Sequence, residues 1–403
     1  MSSHNAAPVV TRPESALLLC CARTQMNAEK TEQLRALLRE DLDWAYLLET
    51  AQCQGVIPLL YQHLHALCPE MVPEHHLERL RTGFHNNARH SLAFTAELCR
   101  ILRMFEAHGI AALPFKGPVL AAAVYGNLAL RQFGDLDILV HKQDILHAKE
   151  LLVTQGYRLK HALTSKQEQT LLKYGCQLCL MHDAGTVVEL HWAFVQRYFT
   201  FPLDPEPLWD RAKPISWGST AILNLAPEDL LLFLCVHGTK HCWERVAWIC
   251  DVAELLRVHQ DLAWDVVMAQ ADALGSRRML LLGLFLAGKW LGAPLPEAIW
   301  QRVQADQTVR GLAVRVGDRL FREGEISGAV KCFFHLRARE RLRDRIRYSV
   351  RYFPPYFRRR AYPPNELDRQ WLPLPSAFSF LYYGLRPIRL LIQYGPGFSK
   401  YFR

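Results

Sequence analysis

Residues 131–140 read Arg-Gln-Phe-Gly-Asp-Leu-Asp-Ile-Leu-Val, with two carboxylates one residue apart at the mouth of an apolar, strand-like run. On a β-strand residues i and i+2 face the same way, so Asp135 and Asp137 aim at one point while Leu136, Ile138 and Val140 pack behind them. Two like charges held that close repel unless a cation or a proton comes between them. The pattern calls for a strand with one face in a core and the other lining a metal-binding cleft.

The neighbouring segments extend that reading. Ile110 to Phe115 is a short apolar segment that breaks at Lys116-Gly117-Pro118 and resumes from Val119 to Tyr125 before Gly126. That order predicts strand, turn and helix. Gly117 lets a backbone approach a phosphate closely, Pro118 suits a first helical turn, and the helix start offers unpaired N–H groups to an anion. Lys116 adds a point charge. Downstream, Asp183-Ala-Gly185 reads as a hairpin turn between a strand over Leu178 to Met181 and a second over Thr186 to Trp192. Glu189 and His191 share one face of that second strand. Glu189 reads as a site carboxylate or as a solvated charge, and His191 as a substrate contact or as a structural histidine.

Taken in order, Lys116-Gly117, Tyr125-Gly126, Arg131 and Asp135-Leu136-Asp137 resemble the nucleotidyltransferase superfamily of polymerase beta, and most closely an uncharacterised bacterial branch of it. The resemblance covers roughly 95 to 260 well and the flanks loosely. It implies an α+β fold with a polymerase-beta-like nucleotidyltransferase core, a short mixed sheet flanked by helices, between N-terminal and C-terminal helical regions. It also implies a third carboxylate on a later strand, for which Glu189 is the candidate. Asp135, Asp137 and Glu189 are then the expected catalytic and metal-holding residues for Mg2+ or Mn2+; two-metal sites bridge ions about 3.5 to 4 Å apart through shared carboxylates. Lys116, Gly117 and Arg131 are expected to orient or neutralise the triphosphate. The wider superfamily has Gly-Gly or Gly-Ser where this chain has Lys116-Gly117-Pro118, a departure that bears on how the phosphates are held.

A helical His, Lys-His and Trp cluster after the core belongs to the same resemblance, here His237, Lys240, His241 and Trp243. It implies that Lys240 and His241 contact the nucleotide phosphates or the acceptor; a packing cluster with polar tips is the plainer alternative. His237 and His241, four apart, also share a helical face in the manner of a zinc pair, without the Glu of a zinc protease or an obvious third ligand. The implied activity is metal-dependent transfer of a nucleoside monophosphate from a nucleoside triphosphate such as ATP to an unidentified acceptor (small molecule, sugar, peptide or RNA), with release of pyrophosphate. Two other outcomes fit the same residues: toxin-like nucleotidylation of transfer RNA or protein, and a non-catalytic assembly module of a membrane-associated biosynthetic complex.

At 403 residues the chain has room for two or three domains. It divides into an N-terminal helical region (1–94, with Leu34, Leu37, Leu38 and Leu42 at helical spacing), the catalytic core (95–202), a C-terminal helical domain (203–330, opening on a Pro- and Trp-rich connector over 203–218) and a basic, aromatic tail (331–403). Helices are expected from Thr95 to His108 before Gly109, from Asp144 to Gln155 before Gly156, and after a Ser165-x-x-Glu168 capping box. The eleven cysteines are scattered and odd in number, which argues against a secreted disulfide framework. Cys176 and Cys179, three apart on a strand, point to opposite faces. With no signal peptide and no apolar stretch of spanning length in view, the expected location is cytoplasmic.

The positive charge is local. Residues 331–403 hold sixteen Lys or Arg against four Asp or Glu, a net of +12 where the whole chain is +9, leaving about −3 for the rest. Leu342, Ile346, Val350 and Phe353 form an apolar stripe through this Arg-rich stretch, and Arg358-Arg-Arg360 follows. Such a basic amphipathic helix reads as a contact for a polyanion, RNA or the inner face of a membrane, or as a helix docked on the body. Trp371 to Pro375 and Tyr382 to Leu391 carry too many large apolar side chains to stay in water and must bury on the body, a partner or a lipid surface; the resemblance, in which the uncharacterised branch has similar Pro- and Tyr-Arg-rich ends, favours docking.

Overall fold

In the computed structural model the described residues are 12–360, apart from 197, 198, 200, 202, 218, 219, 323 and 325, together with 371–375, 381, 382, 385 and 389. They fall into two compact units that divide between Arg345 and Ile346. The first begins with helices α1 (Pro13–Cys21), α2 (Ala28–Leu38), α3 (Trp44–Gln54) and α4 (Ile57–Leu67). The leucine spacing through Leu42 does not make one helix: Asp43 accepts a hydrogen bond from the Tyr46 N–H and caps α3, so Leu42 falls in the loop before it.

Helix α5 (Glu74–Ala107) is 34 residues long, and the expected Thr95–His108 segment is only its final stretch. It stops where Gly109 takes φ +70°. The Gly109 N–H then donates to Glu106 O and the Ile110 N–H to Phe105 O, a Schellman ending that turns the chain into the sheet.

That sheet holds β1 (Ala112–Pro114), β2 (Leu136–Val140), β3 (Tyr157–Leu159), β4 (Gln177–His182) and β5 (Val187–His191) in the order β1-β2-β5-β4-β3. Strands β2 and β5 run parallel and the other pairs antiparallel. Helix α6 (Gly117–Leu120) continues as a π-helical turn, Ala121–Tyr125, closed by Gly126 at φ +67°; α7 (Ile145–Thr154) and α8 (Ser165–Tyr174) fill the later connections. The capping box of α8 lies one residue earlier than expected, on Thr164 and Gln167. Glu168 is engaged elsewhere, by Lys149 of α7 at 2.7 Å.

Alternation decides which side of the sheet is core. Leu136, Ile138 and Val140 of β2, Leu178 and Leu180 of β4, and Val188 and Leu190 of β5 pack with Phe94, Leu98, Ile101 and Phe105 of α5 and Ile145, Ala148 and Leu152 of α7. Asp137, Glu189, His191 and Cys179 occupy the intervening positions and face the other way. This is an α+β fold with a short mixed sheet flanked by helices, as the resemblance implied.

The connector over 203–218 is more ordered than its composition suggested. It contains α9 (Glu206–Arg211) and most of a hairpin, β6 (Lys213–Trp217) with β7 (Thr220–Asn224); Ile215, Trp217 and Ile222 pack against the core. Helices α10 (Pro227–Lys240), α11 (Val246–Val258), α12 (Trp264–Leu274), α13 (Arg277–Leu291), α14 (Glu297–Ala305), α15 (Gln307–Leu320), α16 (Gly328–Arg337) and α17 (Leu342–Arg360) follow. Met279 to Ala287 of α13 is buried on every side, the mark of a bundle's central helix, and α10, α11 and α15 pack around it.

Part of the basic tail serves this first unit. Arg339 is fully buried and donates to the carbonyls of Phe199 and His335, while Arg341 donates to Ala273 O at 3.1 Å. These guanidiniums cap backbone carbonyls instead of forming a free polyanion patch. In the second unit the Leu374 N–H donates to the Tyr382 hydroxyl, which donates to Leu372 O, folding the Trp371–Pro375 segment on itself. The side chains of Phe353 and Arg358–Arg360, and most of 376–403, lie outside the described residues. No helix among the described residues is long and apolar enough to cross a membrane.

Candidate active site

The parallel pairing of β2 with β5 sets the site. Asp137 lies opposite Glu189 in the ladder and Leu139 opposite His191, so Asp137, Glu189 and His191 converge on the face turned away from the core. One ligand atom from each lies within 4.8 Å of the others. His191 Nε2 is 3.1 Å from Asp137 Oδ1 and 3.4 Å from Glu189 Oε2. Lys116 Nζ reaches the same Asp137 Oδ1 at 2.9 Å.

Gly117 makes the Lys116 approach possible. Its φ is +54°, and a Cβ there would stand 3.1 Å from the backbone oxygen of Asp135, so a side chain meets both backbone strain and a carbonyl. The Phe115 N–H donates to Asp137 O across the same junction. Asp135 lies just before β2, lines the same cleft, and stands outside the 4.8 Å group. The three expected carboxylates line one cleft, with His191 between Asp137 and Glu189.

The electrostatics follow from burial and proximity. Burial, with Asp137 and Glu189 nearby, raises the Asp135 carboxyl to about 6. Burial also pushes Asp137 up, but Lys116 and His191 outweigh it and hold that carboxyl well below the usual range. Burial works against charge on His191, yet hydrogen bonds to Asp137 and Glu189 raise it. Asp137 Oδ2 is buried with no hydrogen-bond partner among the described residues. A buried, ionised oxygen left without a donor is costly. Two carboxylates, one of them with that orphaned oxygen, and an imidazole form a donor set that fits a divalent cation.

Across a cleft of ≈ 630 Å³ stand residues of α10 and α11, including His237, Lys240, His241, Arg245 and Trp248. The turn that presents them is strained: Cys242 and Trp243 take φ of +54° and +55° although neither is glycine. Trp243 is fully buried, and its ring lies where a Cβ on Gly238 would be, 2.6 Å from it. Burial, with Lys240 and Lys116 close by, drops the His241 imidazole to about 3, and the same forces hold His237 far below its ordinary value. Burial lowers the Lys240 ammonium as well. With both imidazoles held neutral, Lys240 and Arg245 are the cations of this wall, Glu244 lines it with them, and the two cations suit an anionic ligand. The rings of His237 and His241 are 4.7 Å apart, and neither belongs to a group of three metal-ligating side chains among the described residues.

Arg131 is engaged by a carboxylate of α11. Its Nε and Nη2 donate to Asp251 of α11 at 2.8 and 2.9 Å, and the Tyr125 hydroxyl donates to the same carboxylate at 2.8 Å. The guanidinium ties the loop before Asp135 to α11, and Arg131 lines the cleft as well. Sequence reasoning missed Asp251, although a carboxylate amid the apolar residues of a helix was the available signal. Trp248 and Arg245 also carried no assignment. Cys179 pairs with Glu189 in the ladder and faces the cleft, while Cys176 is buried, and all eleven cysteines are free thiols. A second hollow of ≈ 700 Å³, under the β6–β7 hairpin beside Cys99 and Trp217, lacks a comparable cluster of charges.

Among curated proteins none matches the chain. A family model described as "Uncharacterised nucleotidyltransferase" matches residues 40–292, well over half of it, from α3 through α13 and including every cleft residue named above. The chain therefore belongs to that nucleotidyltransferase family and is a transferase enzyme.

Proposed function

We propose that the protein transfers a nucleoside monophosphate from a nucleoside triphosphate to an acceptor nucleophile and releases pyrophosphate, with a divalent cation, Mg2+ or Mn2+, held by Asp135, Asp137 and Glu189. The observation that carries the reading is the buried Asp137, its Oδ2 without a partner among the described residues, in a cleft whose opposite wall presents Lys240 and Arg245. When bound, the cation neutralises phosphate charge and favours the deprotonated nucleophile. The chain's own residues do the rest. Lys240 and His241 receive the phosphates on one wall, and Lys116, beside Gly117, places a charge between them and the carboxylates. Asp135, besides its share in holding the cation, helps take the acceptor's proton. Arg131 and Asp251 hold the two walls in register, which keeps nucleophile and phosphorus in line.

The test is to incubate the protein and cell extract with Mg2+ or Mn2+ and each α-labelled nucleoside triphosphate in turn. The expected result is one extract component that gains nucleotide mass, with pyrophosphate released in equal amount. No mass gain and no pyrophosphate with any triphosphate and either ion would count against transfer.

A further inference from the structure

We propose that His191 is a direct nitrogen ligand of the site's divalent cation, making an Asp137–Glu189–His191 centre that favours a first-row transition ion such as Mn2+ over Mg2+. The inference rests on the metal-dependent reading above and goes beyond it by changing the ligand set and the ion.

Three observations carry it. The first is proximity. Among the described residues, the group of three side chains whose ligand atoms all lie within 4.8 Å of one another is Asp137, Glu189 and His191, and Asp135 is not part of it. The second is orientation. His191 sits at the end of β5 between β2 and β4, in register with Leu139 and Gln177, and is 4% exposed. Phe115 stands edge-on to its ring at 5.1 Å. Nδ1 faces the Ala193 carbonyl at 3.4 Å, so Nε2 is the nitrogen turned toward the carboxylates. A backbone carbonyl on one ring nitrogen, with the other presented to acidic groups, is the arrangement that fixes tautomer and direction in metal-bound histidines. The third is the orphaned Asp137 Oδ2, a buried carboxylate oxygen that Lys116 and His191 leave unsatisfied because both engage Oδ1.

One ring nitrogen touches two carboxylates, and the stranded oxygen lies on one of them, Asp137. Mg2+ takes oxygen ligands and retains much of its water, whereas imidazole raises the affinity of first-row transition ions. The mixed donor set therefore selects against Mg2+.

Electron paramagnetic resonance on the full-length protein tests this with Mn2+ alone as the probe. Loss of the free-ion signal on titration measures binding, and electron spin-echo modulation of the bound ion reports directly coordinated nitrogen. The expected result is saturable Mn2+ binding with imidazole 14N modulation, which disappears both in protein labelled with 15N-histidine and in His191→Gln. His191→Gln should also bind Mn2+ more weakly than wild type, while Glu189→Gln loses affinity but keeps the modulation. Mg2+ should displace the ion only in large excess. Bound Mn2+ without 14N modulation, or modulation that persists in His191→Gln, would overturn the histidine ligand and leave the metal-dependent reading standing. No saturable Mn2+ binding, or binding unchanged in Asp137→Asn, would overturn both. The labelled wild-type spectrum depends on no substitution, so a variant that folds poorly does not blunt the test.

Discussion

Gly117 is the residue on which the cleft's cation placement turns. Its left-handed backbone and its closeness to Asp135 O let Lys116 reach Asp137. Gly117→Ala should cost about 1 to 2 kcal/mol of stability from backbone strain and weaken triphosphate binding more than that strain alone explains; thermal melts alongside binding isotherms check both. At this scale the sequence was most legible where a short period ruled. The i, i+2 spacing of Asp135 and Asp137 was enough to put both on the face opposite Leu136 and Ile138. It did not reveal that Asp137 would sit nearer to His191 than Asp135 does, because that depends on which strand lies beside β2 and in what register. Ladder register is a long-range outcome of core packing, and no local pattern encodes it.

Elements carry the site's second half. The wall from α10 and α11 keeps its shape because Trp243 fills the space over Gly238. Gly238→Ala should force that ring aside, costing about 1 to 3 kcal/mol by overpacking, and should loosen nucleotide binding because Lys240 and His241 hang on the same turn; fluorescence of the displaced tryptophan gives the readout. Asp251 joins α11 to the core through Arg131 and Tyr125. Asp251→Ala leaves a buried guanidinium without its counter-charge, and denaturant titration should show a loss of about 3 to 5 kcal/mol. A loss below 1 kcal/mol would mean the tie is not structural. Helices were foreseen where glycine ended them, at Gly109 and Gly156, and misplaced where a cap could be chosen twice: Thr164 with Gln167 wins over Ser165 with Glu168, since Lys149 draws Glu168 away. The β6–β7 hairpin was hidden because Pro and Trp outweighed the alternation of Ile215 and Trp217, whose packing only the finished core provides.

Across the molecule, buried histidines make stability depend on pH. Burial lowers His335 to about 3, aided by Arg339, and His241 behaves alike, while both titrate near 6.5 once unfolded. Between those values the unfolded chain binds more protons than the folded one. The contribution is therefore whole above pH 6.5 and drains as pH falls toward 3, by at most about 1.4 kcal/mol per pH unit for each histidine. His335→Gln should be less stable at pH 7.5 yet lose stability less steeply between pH 6.5 and 4.5; parallel curves for variant and wild type would contradict this. The charge count at the C-terminus foretold a distinct segment, but the two compact units divide at Arg345, after Arg339 and Arg341 have been drawn into the first. Charge composition reveals a basic stretch and says nothing about which guanidiniums find carbonyls.

The central claim is that Asp137 makes this cleft a metal-dependent nucleotide site. Equilibrium binding of labelled nucleoside triphosphates, with and without Mg2+ or Mn2+, to wild type and Asp137→Asn tests it most directly. The account predicts binding by wild type that requires the ion and is at least about 10-fold weaker in Asp137→Asn, with the far-ultraviolet circular dichroism unchanged. Equal binding by the two proteins, or binding indifferent to the ion, would contradict it.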